Sequence, residues 1–151
     1  LNDMSQDIQD PLNAKITKEK WFGCLYYDMK KFTHRRDEYY ALLGYDFNNR
    51  LSTIKLIEIL SFDRNGKPVF GGKIHVNGKI QERYFNEYSS ELLISQEYDH
   101  KLDMIVFDHL EPFQPIFEGN YSFYGPVGSY DGLRFDDGDF YLEKDVDARN
   151  L

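Results

Sequence analysis

Asp108 and His109, adjacent in the segment MIVFDHLEP, are the residues of this chain whose types point most directly to acid–base chemistry. An imidazole titrates near neutrality, and a carboxylate beside it can orient the ring or take part in proton transfer. Adjacent strand residues project to opposite faces, so these two cannot meet each other. One of them could meet a partner from another strand, such as Glu111 or Asp131. A hydrolase would draw its carboxylates from Asp46, Asp108, Glu111 and Asp131, lining a cleft together with tyrosines. The competing reading is a polar strand end closed by backbone hydrogen bonds ahead of Pro112.

A second constellation runs from Tyr121 to Gly132, YSFYGPVGSYDG. Aromatic rings interleaved with glycine make a flat, partly rigid surface that stacks on sugars or anchors a protein partner. Tyr121, Tyr124, Tyr130, Asp131 and His109 are therefore the expected binding residues. The plainer alternative is a turn in which glycines supply positive φ and the tyrosines cover one end of the core.

A third candidate is the acidic run Asp131, Asp136, Asp137, Asp139, Glu143, Asp145 and Asp147. Asp136, Asp137 and Asp139 could offer oxygens to calcium, but the run lacks the spacing and terminal bidentate Glu of the twelve-residue calcium loop. A solvated hairpin edge is the simpler expectation, and no other cofactor is expected. His34, His75 and His100 have no spacing that groups them on one element. No phosphate loop, dinucleotide fingerprint or nucleophile elbow occurs, and Gly71-Gly72 is too short to cradle phosphate. The lone Cys24, inside WFGCLYY, reads as a small buried hydrophobe that can form neither an internal disulfide nor a four-thiolate site.

The elements that must position these residues are strands. At 151 residues, 41% of them apolar and 29% charged, the chain has the length and core of one ordinary domain. Twelve Tyr, twelve Phe and one Trp favour sheet over helix. Alternating runs predict strands over 21–29 (central, with both faces covered), 39–45, 56–62, 69–76, 80–88, 104–110, 121–124, 132–135 and 140–144, and a further strand within 89–98. Asn65-Gly66 and Asn77-Gly78 should fold 56–62, 69–76 and 80–88 into a three-stranded meander. Ser52 or Thr53 is placed to cap a short helical turn, and Gly125-Pro126 to stop the strand before it. The expected fold is mainly β, an antiparallel meander forming a sandwich, open barrel or large twisted sheet with at most short helical turns. Residues 1–20 read as a polar lead-in or linker and 21–151 as a single β-rich domain.

Charge is unevenly placed. Residues 1–96 hold 14 Lys and Arg against 13 Asp and Glu, whereas residues 97–151 hold 4 against 13, so the acidic excess is C-terminal. Such a surface repels nucleic acid and suits an oriented encounter with a protein. No apolar run reaches the ~20 residues of a membrane-spanning helix. A start at Leu1 rather than Met suggests a processed product or a fragment.

Three blocks, YYALLGYDFNNRLSTIKLIEILSFDRNGKPVFG, MIVFDHLEP and YGPVGSYDGLRFDDGDFYLEKDVDARN, resemble a family of uncharacterised envelope-associated proteins of Bacteroidota-type bacteria over roughly residues 21–150. The aromatic after the first glycine, usually Trp in that family, is Tyr45 here. The resemblance implies the C-terminal domain of an exported precursor, located in the periplasm or at the outer membrane, and brings no activity, substrate or catalytic residue with it. The expected function is a non-catalytic interaction module that binds another protein of an envelope assembly or a glycan. The alternative is a carboxylate-dependent hydrolase of glycan or peptide.

Overall fold

A computed structural model describes residues 10–13, 16–17, 24–46 and 49–147. In chain order the strands are β1 (Ile16–Thr17), β2 (Leu25–His34), β3 (Asp37–Asp46), β4 (Ser52–Phe62), β5 (Pro68–Phe70), β6 (Ile74–Val76), β7 (Lys79–Gln81), β8 (Tyr84–Ser89), β9 (Gln96–Asp99), β10 (Met104–Pro112), β11 (Tyr124–Asp136) and β12 (Asp139–Glu143). Single 3-10 turns occupy Pro115–Phe117 and Tyr121–Phe123. No helix among the described residues is long and apolar enough to cross a membrane.

The strands form two six-stranded sheets. The first is ordered β1-β5-β4-β3-β2, with β8 pairing the N-terminal half of β4 on the edge where β5 pairs its C-terminal half. The second is ordered β7-β6-β12-β11-β10-β9, and its β6–β12 pair is parallel. Turn chemistry sets the hairpins. Asp137 and Gly138, both at positive φ, join β11 to β12 with Asp136 opposite Asp139. Asn77-Gly78 turns β6 into β7 in the same way. The Asp63 carboxylate accepts the N–H groups of Asn65 and Lys67 in the β4–β5 turn.

The sheets pack face to face and are not closed into a barrel. Phe32, Ala41, Leu43, Ile57 and Ile59 of the first meet Ile74, Ile105, Phe107, Leu133 and Phe140 of the second. Strand β4 is apolar on both faces. Ile57 and Ile59 enter that core, while Leu56 and Ile54 join Phe70 in a smaller cluster flanked by Cys24, Tyr26, Leu42, Leu60 and Phe85. Glu58, on this second face, is fully buried against Arg83. Arg83 also donates to the carbonyls of Phe70 and Pro11, and the Glu82 N–H donates to the Leu12 carbonyl. These bonds tie residues 10–13 to the sheet, and β1 pairs with β5.

The mainly β class is as expected, but several elements differ. The run 21–29 is not central: β2 is an edge strand with Leu25 and Met29 exposed, and Trp21–Gly23 lie outside the described residues. Ser52 and Thr53 begin a strand rather than a helical turn, because their side chains are buried opposite Ser89 and Tyr88. The expected meander is cut at Gly71-Gly72. There the chain leaves the first sheet after β5, β6 and β7 join the second, and β8 returns to β4. A Cβ at Gly72 would lie 2.8 Å from Ile59 Cγ2, so the crossing needs a bare backbone. Of 89–98, Ser89 ends β8 and residues 96–98 belong to β9, and the residues between are not strand. Tyr121–Phe123 form a 3-10 turn, and β11 runs straight through Gly125-Pro126. The expected Tyr/Gly loop is thus largely strand, with three residues, 127–129, bulging out around Gly128 at φ +87°.

Candidate functional site

The C-terminal end of β10, the start of β11 and the β8–β9 connection meet at one end of the sandwich. Two chemical groupings lie there, one polar and one aromatic.

The polar grouping centres on His109. The register between β10 and β11 shifts at Asp108/Leu110, leaving His109 outside the ladder; such bulges re-aim side chains. His109 Nδ1 is hydrogen-bonded to Asp131 Oδ2 at 2.7 Å, and its Nε2 to Glu111 Oε1 at 3.2 Å. The buried Asp131 uses its other oxygen to accept the Asp145 N–H at 3.1 Å. Donation of the ring N–H to the Asp131 carboxylate raises the His109 pKa above the ordinary imidazole value, against partial burial, and Glu111 adds to the rise. Asp108 points elsewhere and accepts the backbone N–H and hydroxyl of Ser95. One ring joining two carboxylates holds them within the roughly 10 Å upper separation of paired-carboxylate hydrolysis.

The other expected residues divide. Tyr121 and Tyr124 lie side by side, centroids 4.8 Å apart, next to a Phe117–Phe123 stack at 4.3 Å. The Tyr124 hydroxyl accepts the Gly119 N–H, which fixes this loop. Tyr130 pairs with Asp108 and projects to the face opposite Asp131. Asp46 ends β3 in the other sheet. Asp136, Asp137 and Asp139 face three different partners, Arg134, His34 and His75. Among the described residues no group of three or more His, Cys, Asp or Glu side chains is placed to hold a metal ion.

The aromatic grouping escaped sequence reasoning. A cavity of about 390 Å³ opens beside the first sheet, lined by Tyr27, Tyr45, Thr53, Lys55, Tyr88 and the connecting residues Ser90, Leu92 and Leu93. Lys55 is cross-strand from Tyr45, and Thr53 from Tyr88. A bulge between Tyr26 and Asp28 frees Tyr27 from the ladder; its hydroxyl donates to the Gln96 carbonyl at 2.6 Å. The Lys55 ammonium donates to the Ile94 carbonyl at 2.5 Å and lies 5.7 Å from the Tyr27 ring centroid. Burial lowers the Lys55 pKa, opposed by the charge of Asp108. The available signal was Lys55 interrupting the apolar run of STIKLIEIL.

Across the Ser90–Leu93 segment lies a second recess of about 520 Å³, whose lining includes Leu51, Phe113 and Phe123. Gly125 lets the two loops close over β11: a Cβ there would lie 2.6 Å from Leu92 Cδ1 and 2.7 Å from Phe113 Cε1. The rim carries exposed apolar side chains, Leu93 at 91% and Leu51 at 67% exposure, with Phe113 beside them.

No protein-family model, curated protein or solved structure matches this chain.

Proposed function

We propose that this chain is a non-catalytic binding domain of the bacterial cell envelope that docks a protein partner on the end of the sandwich formed by the tyrosine-lined cavity and its apolar rim. The observation that carries this reading is the exposure of Leu93, Leu51 and Phe113 around two recesses. Isolated exposed apolar residues are ordinary, whereas a group of them rimming preformed concavities marks an interaction surface. Aliphatic rim residues favour a protein over a glycan, because sugars are held by aromatic faces and hydrogen bonds rather than by leucine and isoleucine. The envelope location rests on the sequence resemblance.

The test is a photo-crosslinking residue placed at Leu93 and, as control, at Ile80, which is exposed on β7 away from this end. One envelope protein trapped from position 93 and not from position 80 is the expected result. Equal trapping at both, or none at 93, overturns the reading.

A hydrolase remains the second reading, on the observation that His109 joins Asp131 and Glu111. In it Glu111, the exposed carboxylate, would meet substrate, and Asp131, with both oxygens bound, would hold the ring. Turnover of chromogenic glycosides or peptides that disappears in Glu111→Gln supports it, and no turnover above buffer sinks it.

A further inference from the structure

We propose that two copies of this chain join edge to edge through β2, as an antiparallel pair whose two-fold axis passes beside Met29. This goes beyond the docking reading and does not depend on it.

The long free edge of the molecule is β2. It runs for ten residues, whereas the other strands that end the two sheets, β1, β7 and β9, have two, three and four. An exposed row of backbone N–H and C=O groups is a template for a further strand. Met29 shows which groups face outward. Residues of an antiparallel pair alternate between exchanging both backbone bonds with the partner and exchanging none. The Met29 N–H donates to its neighbour's carboxylate, Asp28 Oδ1, at 2.8 Å, so Met29 belongs to the second class and its backbone groups point away from β3. Lys31 and Thr33 share that class. All three residues are exposed.

The charges along this edge choose the partner. Edge lysines ordinarily discourage a foreign strand. Among the described residues neither Asp28 nor Lys30 has an ion-pair partner; Asp28 accepts the Met29 N–H, and the Lys30 ammonium lies 4.4 Å from the Tyr98 ring centroid. A two-fold axis normal to the sheet sets residues equidistant from it opposite each other. With the axis at Met29, Asp28 of each copy faces Lys30 of the other, and the two Met29 residues meet between these pairs. With the axis at Lys30 or Lys31 a lysine faces itself, and with the axis at Asp28 an acid does. Opposite charges directly across a pair stabilise it and like charges destabilise it. The strand therefore complements itself in one register, and a second copy brings an acid and a base to the required places. Lys31 is compensated within its own chain by Glu38 at 2.9 Å. The bulge between Tyr26 and Asp28 keeps the pairing short, so the dimer is weak and its register rests on the two charge pairs.

Sedimentation equilibrium of the full chain tests this between about 1 µM and 1 mM, the span in which small interfaces associate. The native chain should pass from monomer to dimer. Asp28→Lys and Lys30→Asp, each checked for an unchanged circular dichroism spectrum, should each weaken self-association at least about tenfold, because both charge pairs become repulsive. An equal mixture of the two variants should dimerise again, since every cross-strand pair in the mixed dimer is then opposite in charge. Where Lys30→Asp does not fold, Lys30→Glu takes its place. A native chain that stays monomeric at the highest concentration overturns the inference. So does a dimer indifferent to both reversals, which places the contact elsewhere, or a mixture that fails to associate.

Discussion

Glu58 and Arg83 meet at 2.8 Å with neither side chain reaching solvent, on the face of β4 turned away from the main core. Arg83 serves three acceptors there, the Glu58 carboxylate and the carbonyls of Phe70 and Pro11, so one cation joins the sheet to the segment that crosses it. Burial pushes the Glu58 pKa up to about 7, against the pull of Arg83 and the Ile59 N–H. The pair is costly to desolvate and costlier to break. Removing one partner of a buried ion pair typically costs about 3–5 kcal/mol, while replacing both by apolar residues of similar size is far milder. Arg83→Met and Glu58→Leu should each lower the urea midpoint sharply, and the double variant should regain part of the loss. Additive losses in the double variant would contradict that coupling.

The His109–Asp131 hydrogen bond sets a pH dependence. Because Asp131 raises the folded-state pKa of His109, the stabilisation is present in full below the unfolded value of about 6.5 and is lost as pH rises through the folded value. The stability gap between the native chain and His109→Gln should be wide near about pH 6 and narrow on the alkaline side. Asp131→Asn should flatten this dependence. Denaturation at three pH values checks both, and a gap that widens with pH would reverse the assignment.

Gly72 is predicted to resist even a methyl group. Its added Cβ would press on the Ile59 side chain, itself fully buried, and overpacking of this kind costs about 1–3 kcal/mol. Gly71→Ala adds backbone strain, since Gly71 sits at φ +130°. By contrast, Gly66→Ala meets open space and leaves only the cost of its positive φ, so thermal melts should rank it mildest of the three.

Leu93→Asp and Leu51→Asp test the rim without touching the fold. Both side chains are largely exposed, so stability should stay within about 0.5 kcal/mol of the native chain. Partner capture should be lost in each. A variant that unfolds, or one that still captures the partner, would show that these residues are not the rim of a docking site.

Hairpins were legible in the sequence because their turns are local. Asp137-Gly138 and Asn77-Gly78 dictate positive φ wherever the rest of the chain goes. The strand at Met104–Leu110 was legible from its alternation, but which face enters the main core was not, since Met104 and Val106 are buried as well as Ile105 and Phe107. Which strand pairs with which was not. Nothing local tells the run 69–76 to change sheets at Gly71, because the cause is Ile59 packed against it. Strand alternation kept Asp108 and His109 apart and left Glu111 and Asp131 as candidate partners, but which of the two they meet depends on the β10–β11 register and was not legible. Nor was the cavity, because Tyr27, Tyr45, Lys55 and Tyr88 come from four different strands and only their assembly makes a wall.

The crossing at Gly71-Gly72 reaches beyond its own neighbourhood. Between residues 71 and 83 the chain leaves the first sheet, contributes two strands to the edge of the second beside β12, and returns to β4. The parallel β6–β12 contact joins segments far apart in sequence, so the second sheet is completed only when the C-terminal hairpin arrives. Neither sheet is a separable half of the molecule. Loss of one would strip partners from the other, which makes folding a single cooperative event governed by distant pairings and correspondingly slow for a chain of this size.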